Sequence, residues 1–186
     1  MDKSNWIKNV IIVSGGFDPV HKGHIRMFRE ASNLGANVIV GLNSDEWLSR
    51  KKGKPFMKWE ERAEILESCK FVNQVLPMND HDDTAKDIIV KVCKLYNNED
   101  FNIYFANGGD RGKGNVPELD VCKNLNVVML WGVGGGKMKE DIPAKMYLEM
   151  WLSEQIPTQD WLEILKERSD VKDLYNKHLE KNNVEL

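Results

Sequence analysis

The run Val10-Ile11-Ile12-Val13 limits what this chain can fold into more than any other stretch. Four consecutive β-branched residues suit a strand buried on both faces, which a parallel sheet provides. Ser14-Gly15-Gly16 closes the run, and the period then changes. Ile25, Phe28, Ala31 and Leu34 fall three residues apart over 23–34, one apolar helical face that Gly35 is placed to stop. The alternation repeats. Val38-Ile39-Val40 is a second strand, and Asn43-Ser44-Asp45 offers an N-cap for a short helix carrying Trp47 and Leu48. Residues 58–68 form a further helix, and Phe71–Leu76 a third strand closed by Pro77. Over 83–96, Ala85, Ile88, Ile89, Val92, Leu95 and Tyr96 mark an amphipathic helix. Ile103–Phe105 is a fourth strand, a short helix falls near 116–124, and Val127–Leu130 is a fifth strand.

Strands alternating with helices predict an α/β fold, a Rossmann-like doubly wound sheet of about five parallel strands with helices on both faces. From 143 onward the chain is helical and rich in large apolar residues (Met146, Tyr147, Met150, Trp151, Trp161, Leu162, Leu165). No Gly/Ser linker precedes this stretch. The expected organisation is a domain at 1–142 with a C-terminal helical extension, 143–186, packed on it.

Composition narrows the function classes. At 186 residues the chain can bury a real core, and a formal charge of −3 creates no basic field for nucleic acid. No apolar run reaches the roughly 18–20 residues of a membrane span. The opening MDKSNWIKNVIIVSGG reads as a first strand rather than a signal peptide. Cys69, Cys93 and Cys122 are odd in number and far apart, which suits a reducing, cytoplasmic setting rather than a disulfide framework or zinc knuckle.

Half of the 14 glycines lie in three clusters, Gly15-Gly16, Gly108-Gly109 and Gly134-Gly135-Gly136, each just after an expected strand. Carboxyl ends of strands in an open α/β sheet line one crevice, and glycine there lets backbone N–H groups approach phosphate. Tight turns would explain any one cluster; three together favour a shared nucleotide site.

The densest chemistry is Gly16-Phe17-Asp18-Pro19-Val20-His21-Lys22-Gly23-His24. His21 and His24 stand three residues apart at a helix start, so both imidazoles share one face where free N–H groups and the helix dipole favour an anion. Gly23 removes the side chain between them, which would let an anion lie against the backbone. A zinc site from His21, His24 and Asp18 is the lesser reading, because no further cysteine or histidine is near in sequence. His81 and His178 read as surface residues.

Arg50-Lys51-Lys52-Gly53-Lys54 places four cations in five residues, a flexible clamp for a triphosphate or simply a solvated loop. Arg62 in the first turn of its helix opposes the helix dipole, and so serves an anion or an ion pair. Asp110 is placed to accept from ribose hydroxyls, and Arg111 to stack on a base or hold a phosphate.

With these residues in hand, the chain resembles the HxGH nucleotidyltransferase superfamily, cytidylyltransferase-like, nearest its glycerol-3-phosphate cytidylyltransferase and heptose-phosphate adenylyltransferase branches. The resemblance covers about 9–142. It rests on GGFDPVHKGH, GLNSDEWL, the basic loop before KWEERAEILES, KFVNQVLP, NGGDR at 107–111 and GKMKEDI at 136–142. It implies that a nucleoside triphosphate and a phosphorylated alcohol or sugar yield an NDP-linked product and pyrophosphate, with CMP transfer favoured over AMP transfer. His21, His24 and Lys54 are its implied catalytic residues. Gly16, Phe17, Asp18, His24, Lys51, Arg62, Gly108, Asp110, Arg111, Gly135, Gly136 and Lys137 are its implied nucleotide contacts. It also implies Mg²⁺ carried mainly on the triphosphate, and a homodimer. Val133-Gly134-Gly135-Gly136 stands where the family carries a hydroxyl-rich loop, so backbone N–H groups with Lys137 and Lys139 would replace serine and threonine donors. That substitution leaves a nucleotide-binding module without turnover as the alternative of another class.

Overall fold

The computed structural model describes residues 8–34, 36–96, 100–108, 116–134, 148, 152 and 158–181. Five strands, β1 (Lys8–Gly15), β2 (Ala36–Leu42), β3 (Gln74–Pro77), β4 (Phe101–Gly108) and β5 (Val128–Val133), form one sheet in the order β3-β2-β1-β4-β5. Every pairing is parallel. The expected doubly wound α/β sheet is what forms. Val10 to Val13 are fully buried at its centre, as their β-branched run demands. Ile12 pairs with Ile39 on one side and Phe105 on the other.

The strand order reverses at β1. Connections leave it in opposite directions, which opens a crevice at the carboxyl ends of β1 and β4. The helices of this unit are α1 (Lys22–Asn33), α2 (Asp45–Lys52), α3 (Trp59–Glu67), α4 (Lys86–Leu95) and α5 (Leu119–Asn124). Ile88, Ile89 and Val92 of α4 join Val10, Ile12, Ile39 and Phe105 in one apolar cluster. Met27, Phe28 and Ala31 are the buried face of α1.

Several boundaries move, each for a visible reason. β3 begins at Gln74 rather than Phe71, because pairing starts where Asn73 binds both the Val38 N–H (Oδ1, 2.8 Å) and the Val38 carbonyl (backbone N, 2.9 Å). Phe71 instead lies under the Arg29 and Lys70 cations. The start of α4 slips from 83 to Lys86, because Asp82 accepts from the Thr84 backbone N–H and hydroxyl and Asp83 is left-handed (φ 60°). β4 and β5 outrun their apolar cores and include Asn107-Gly108 and Gly132. Pairing carries them on across a register shift between Ala106 and Gly108, and Gly132 adopts φ 70°. Gly35, expected to stop α1, lies outside the described residues.

The chain divides into two compact units, Met1–Lys139 and Glu140–Leu186. In the second, α6 (Thr158–Glu167) and α7 (Ser169–Lys181) set Trp161 edge-on to Tyr175, ring centroids 5.4 Å apart. Val171 is buried as well, whereas Leu162 is 53% exposed. Met146, Tyr147, Met150 and Trp151 lie outside the described residues. Among the described residues no helix is long and apolar enough to cross a membrane.

Candidate active site

The site is built where β1 runs into α1. Phe17 takes a left-handed conformation (φ 46°) and turns the chain, so that His21 becomes the N-cap of α1. The His21 Nδ1 accepts from the Gly23 N–H at 3.1 Å, and the His24 Nδ1 accepts from the His21 N–H at 3.3 Å. This is a reciprocal capping box made from two imidazoles. With each Nδ1 accepting from an amide, each neutral ring carries its proton on Nε2, the nitrogen turned away from the backbone. The rings stack with centroids 3.6 Å apart and planes 19° apart. Phe17 braces His24 edge-on at 4.9 Å and packs on Phe28 behind it.

His24 is pulled down to a pKa of about 4, first by burial, then by the neighbouring His21 and by the Lys52 charge. At neutral pH it is therefore an uncharged Nε2–H donor. A Cβ at Gly23 would meet the His21 ring, 3.0 Å from Cε1. The absent side chain is what lets His21 fold back over its own helix.

A cavity of about 350 Å³ opens beside the two rings. Ser14, Gly15 and Phe17 line it from the end of β1, Ala106 and Asn107 from β4, and Val133 and Gly134 from β5, with Met27 of α1 as its floor. Among the described residues, the bends after β1 and β5 and the end of β4 thus share one rim. Gly134 (φ 87°) lies so close to α1 that a Cβ would sit 3.0 Å from the Met27 Cβ, and its N–H donates to Glu30 Oε2 at 2.6 Å. Asn107 is buried, and its Nδ2 has no hydrogen-bond partner among the described residues.

Three of the expected nucleotide contacts have partners within the protein. Asp18, expected to contact the nucleotide, is buried and accepts from the N–H groups of Phe56 (2.7 Å) and Met57 (2.9 Å). It ties the 53–58 loop to the histidine loop. Among the described residues no group of three or more His, Cys, Asp or Glu could hold a metal.

Arg62, expected to grip an anion, is fully buried. It donates to the carbonyls of Met57, Gly16 and Asn43 and pairs with Asp45. A guanidinium in that many bonds is a hub that fixes the backbone around Gly16. Lys51, expected at the phosphates, pairs with Asp83 at 3.1 Å and lies over Trp47. Arg50 binds the same carboxylate and the Asp80 carbonyl.

The acidic turn at 79–83, around His81, is therefore the counterpart of the basic segment. Its Asp80 is buried and takes the Asn43 amide together with the Ser44 N–H and hydroxyl, which sets the N-cap of α2.

Two residues gain a place at the site that the sequence did not single out. Lys52 binds the Asp18 carbonyl at 3.1 Å, and its charge reaches His24. It stands within the basic run, and only the fold separates it from Lys51. Asn107 carries no sequence signal beyond its place before the glycines. Lys54 is exposed on the 53–58 loop, and Gly108 ends β4 opposite Val133. Asp110, Arg111, Gly135, Gly136 and Lys137 lie outside the described residues.

Residues 12–181 match the family model described as cytidylyltransferase-like. The chain is 31% identical over 133 residues to the glycerol-3-phosphate cytidylyltransferase of Bacillus subtilis (strain 168), covering 71% of this chain and 95% of that protein. It is 36% identical over 77 residues to the probable ethanolamine-phosphate cytidylyltransferase of Schizosaccharomyces pombe, covering 41% of this chain and 21% of that one. The bifunctional protein HldE of Campylobacter concisus is 36% identical over 87 residues, 46% of this chain and 18% of its own length.

Proposed function

The chain belongs to the cytidylyltransferase-like family and is a nucleotidyltransferase, and from that premise we propose that it transfers CMP from CTP to a small phosphorylated alcohol, releasing pyrophosphate. The observation that carries this reading is the pair of stacked imidazoles at the start of α1, both with Nε2–H as the free donor, beside a cavity at the switch in strand order. The relatives described as cytidylyltransferases support CTP as the donor and a phosphate monoester as the acceptor.

In this reading an oxygen of the acceptor's phosphate, already largely dianionic at neutral pH, attacks the α-phosphorus. The bond from the α-phosphorus to the bridging oxygen breaks, and that oxygen leaves with the pyrophosphate. No general base and no covalent enzyme intermediate are needed. The protein's work is alignment and charge stabilisation. The Nε2–H groups of His21 and His24 donate to phosphate oxygens as negative charge moves onto the leaving group. Preorganised donors of this kind are each worth roughly 10²–10³ in rate. Lys52 and Lys54 supply positive charge from the α2 side. In this reading magnesium enters as part of the substrate, bound to the triphosphate, and among the described residues the cavity lining carries no carboxylate of its own.

The test is a pyrophosphate-release screen of CTP, ATP, UTP and GTP, each with magnesium, against phosphorylated glycerol, polyols, aminoalcohols and sugars. Turnover with CTP and a phosphorylated alcohol is expected. Turnover with ATP alone would overturn the CMP assignment, and silence with every pair would overturn transfer.

A further inference from the structure

We propose that Glu30 is a positioning residue for the transfer: it ties the end of β5 to the helix that carries His24, and so sets where that end stands relative to the imidazoles. The inference deepens the proposed function and rests on it. Three observations meet at this contact. The Gly134 N–H donates to Glu30 Oε2 at 2.6 Å, short enough for a charge-assisted bond. Gly134 takes φ 87°, and its backbone lies so close to α1 that a Cβ would stand 3.0 Å from the Met27 Cβ and 3.1 Å from the Met27 Cα. Gly134 and Met27 both line the cavity beside His21 and His24.

The spacing along α1 explains why a carboxylate at 30 can do this. His24, Met27 and Glu30 recur every three residues, so the imidazole, the cavity floor and the carboxylate follow one another along one side of the helix. The glycine run at 134–136 is expected from the sequence to offer backbone N–H groups to phosphate. Its first amide is taken by Glu30 instead, which makes Gly134 a point of attachment. Glycine restrains its own backbone little, so the turn at Gly134 needs a tether from outside. A transfer that works by alignment gains most when that tether comes from the element that also sets the imidazole.

The experiment uses the full-length protein with the nucleotide and acceptor that turn over best in the pyrophosphate-release screen. Steady-state kinetics separate kcat from the two KM values, and thermal melting reports the fold. Glu30→Ala should lower kcat and kcat/KM together by about 10- to 100-fold, the cost of lost alignment, with each KM within about threefold of wild type. Glu30→Gln keeps an oxygen acceptor at the same reach and should hold kcat within about threefold of wild type. Gly134→Ala breaks the contact from the other side, because its Cβ has no room against Met27. Since the two alanine variants remove one and the same contact, the double variant should be no slower than the slower single variant.

A Glu30→Ala protein with kcat within about twofold of wild type would overturn the proposal. So would Glu30→Gln as slow as Glu30→Ala, losses that multiply in the double variant, or a rise in KM alone. A fall of about 10 °C or more in the Glu30→Ala thermal midpoint would make Glu30 a residue of the fold and overturn it too. If the wild-type protein releases no pyrophosphate with any pair, the proposed function has failed and takes this inference with it. If it turns over and Glu30→Ala matches it, only the tether has failed.

Discussion

Replacing Gly23 by alanine should separate catalysis from stability in one step. Gly23 is the second residue of α1, it is helical, and its N–H donates to the His21 Nδ1 at 3.1 Å. Alanine suits that backbone, and in a helix interior it is worth up to about 1 kcal/mol over glycine. Its Cβ, however, would lie 3.0 Å from Cε1 and 3.1 Å from Nδ1 of His21, so the ring must give by a few tenths of an ångström. That loosens a cap worth about 1 kcal/mol. Gain and loss nearly cancel, and the thermal midpoint should move by no more than about 2–4 °C for a chain of this size.

Catalysis has no such offset. A 1 Å misplacement can cost about 10²-fold in rate, and losing a preorganised donor outright costs roughly 10²–10³. A smaller displacement of His21, with His24 losing part of its stacked neighbour, should lower kcat by about 10- to 100-fold. Pyrophosphate release at saturating substrates, run beside thermal melting, reads both quantities. A variant with kcat within about twofold of wild type would refute the claim that the folded-back His21 ring is the working geometry. A drop in midpoint of about 10 °C or more would show that Gly23 serves the fold instead.

Two further expectations follow from the same geometry. Proton NMR should find the His24 ring titrating near pH 4 rather than near 6.5. The folded state then refuses a proton that the unfolded chain accepts, so stability falls as pH drops from about 6.5 to about 4, and His24→Gln should flatten that slope; a His24 midpoint at 6 or above would refute the burial argument. Arg62→Met should cost about 3–5 kcal/mol in chemical denaturation, because it strands Asp45 and three carbonyls that share one buried guanidinium. A variant with wild-type stability and impaired turnover would return Arg62 to the anion-binding role expected from sequence.

The centre of the sheet and the start of α1 are legible in the chain because their signals are local. A run of β-branched residues has few places to go except a parallel strand with both faces covered, and a glycine pair followed by a helical period marks a turn into α1. The edges are less legible. β3 starts at a side-chain bond from Asn73 to a distant strand, and β4 and β5 extend through glycines because their neighbours continue to pair with them.

Within the site the same division holds. Residue type and spacing alone bring two imidazoles together at a helix start, because side chains at the N-cap and three residues on can each accept from the other end's backbone N–H. They do not determine whom a charged side chain meets. Asp18, Lys51 and Arg62 are all expected from the sequence to contact the nucleotide. The fold gives Asp18 two amide donors 38 and 39 residues away, gives Lys51 a carboxylate 32 away, and buries Arg62 among carbonyls up to 46 away. Only tertiary structure decides such pairings, because charges and buried donors are satisfied by whatever the packed chain brings within about 3 Å of them.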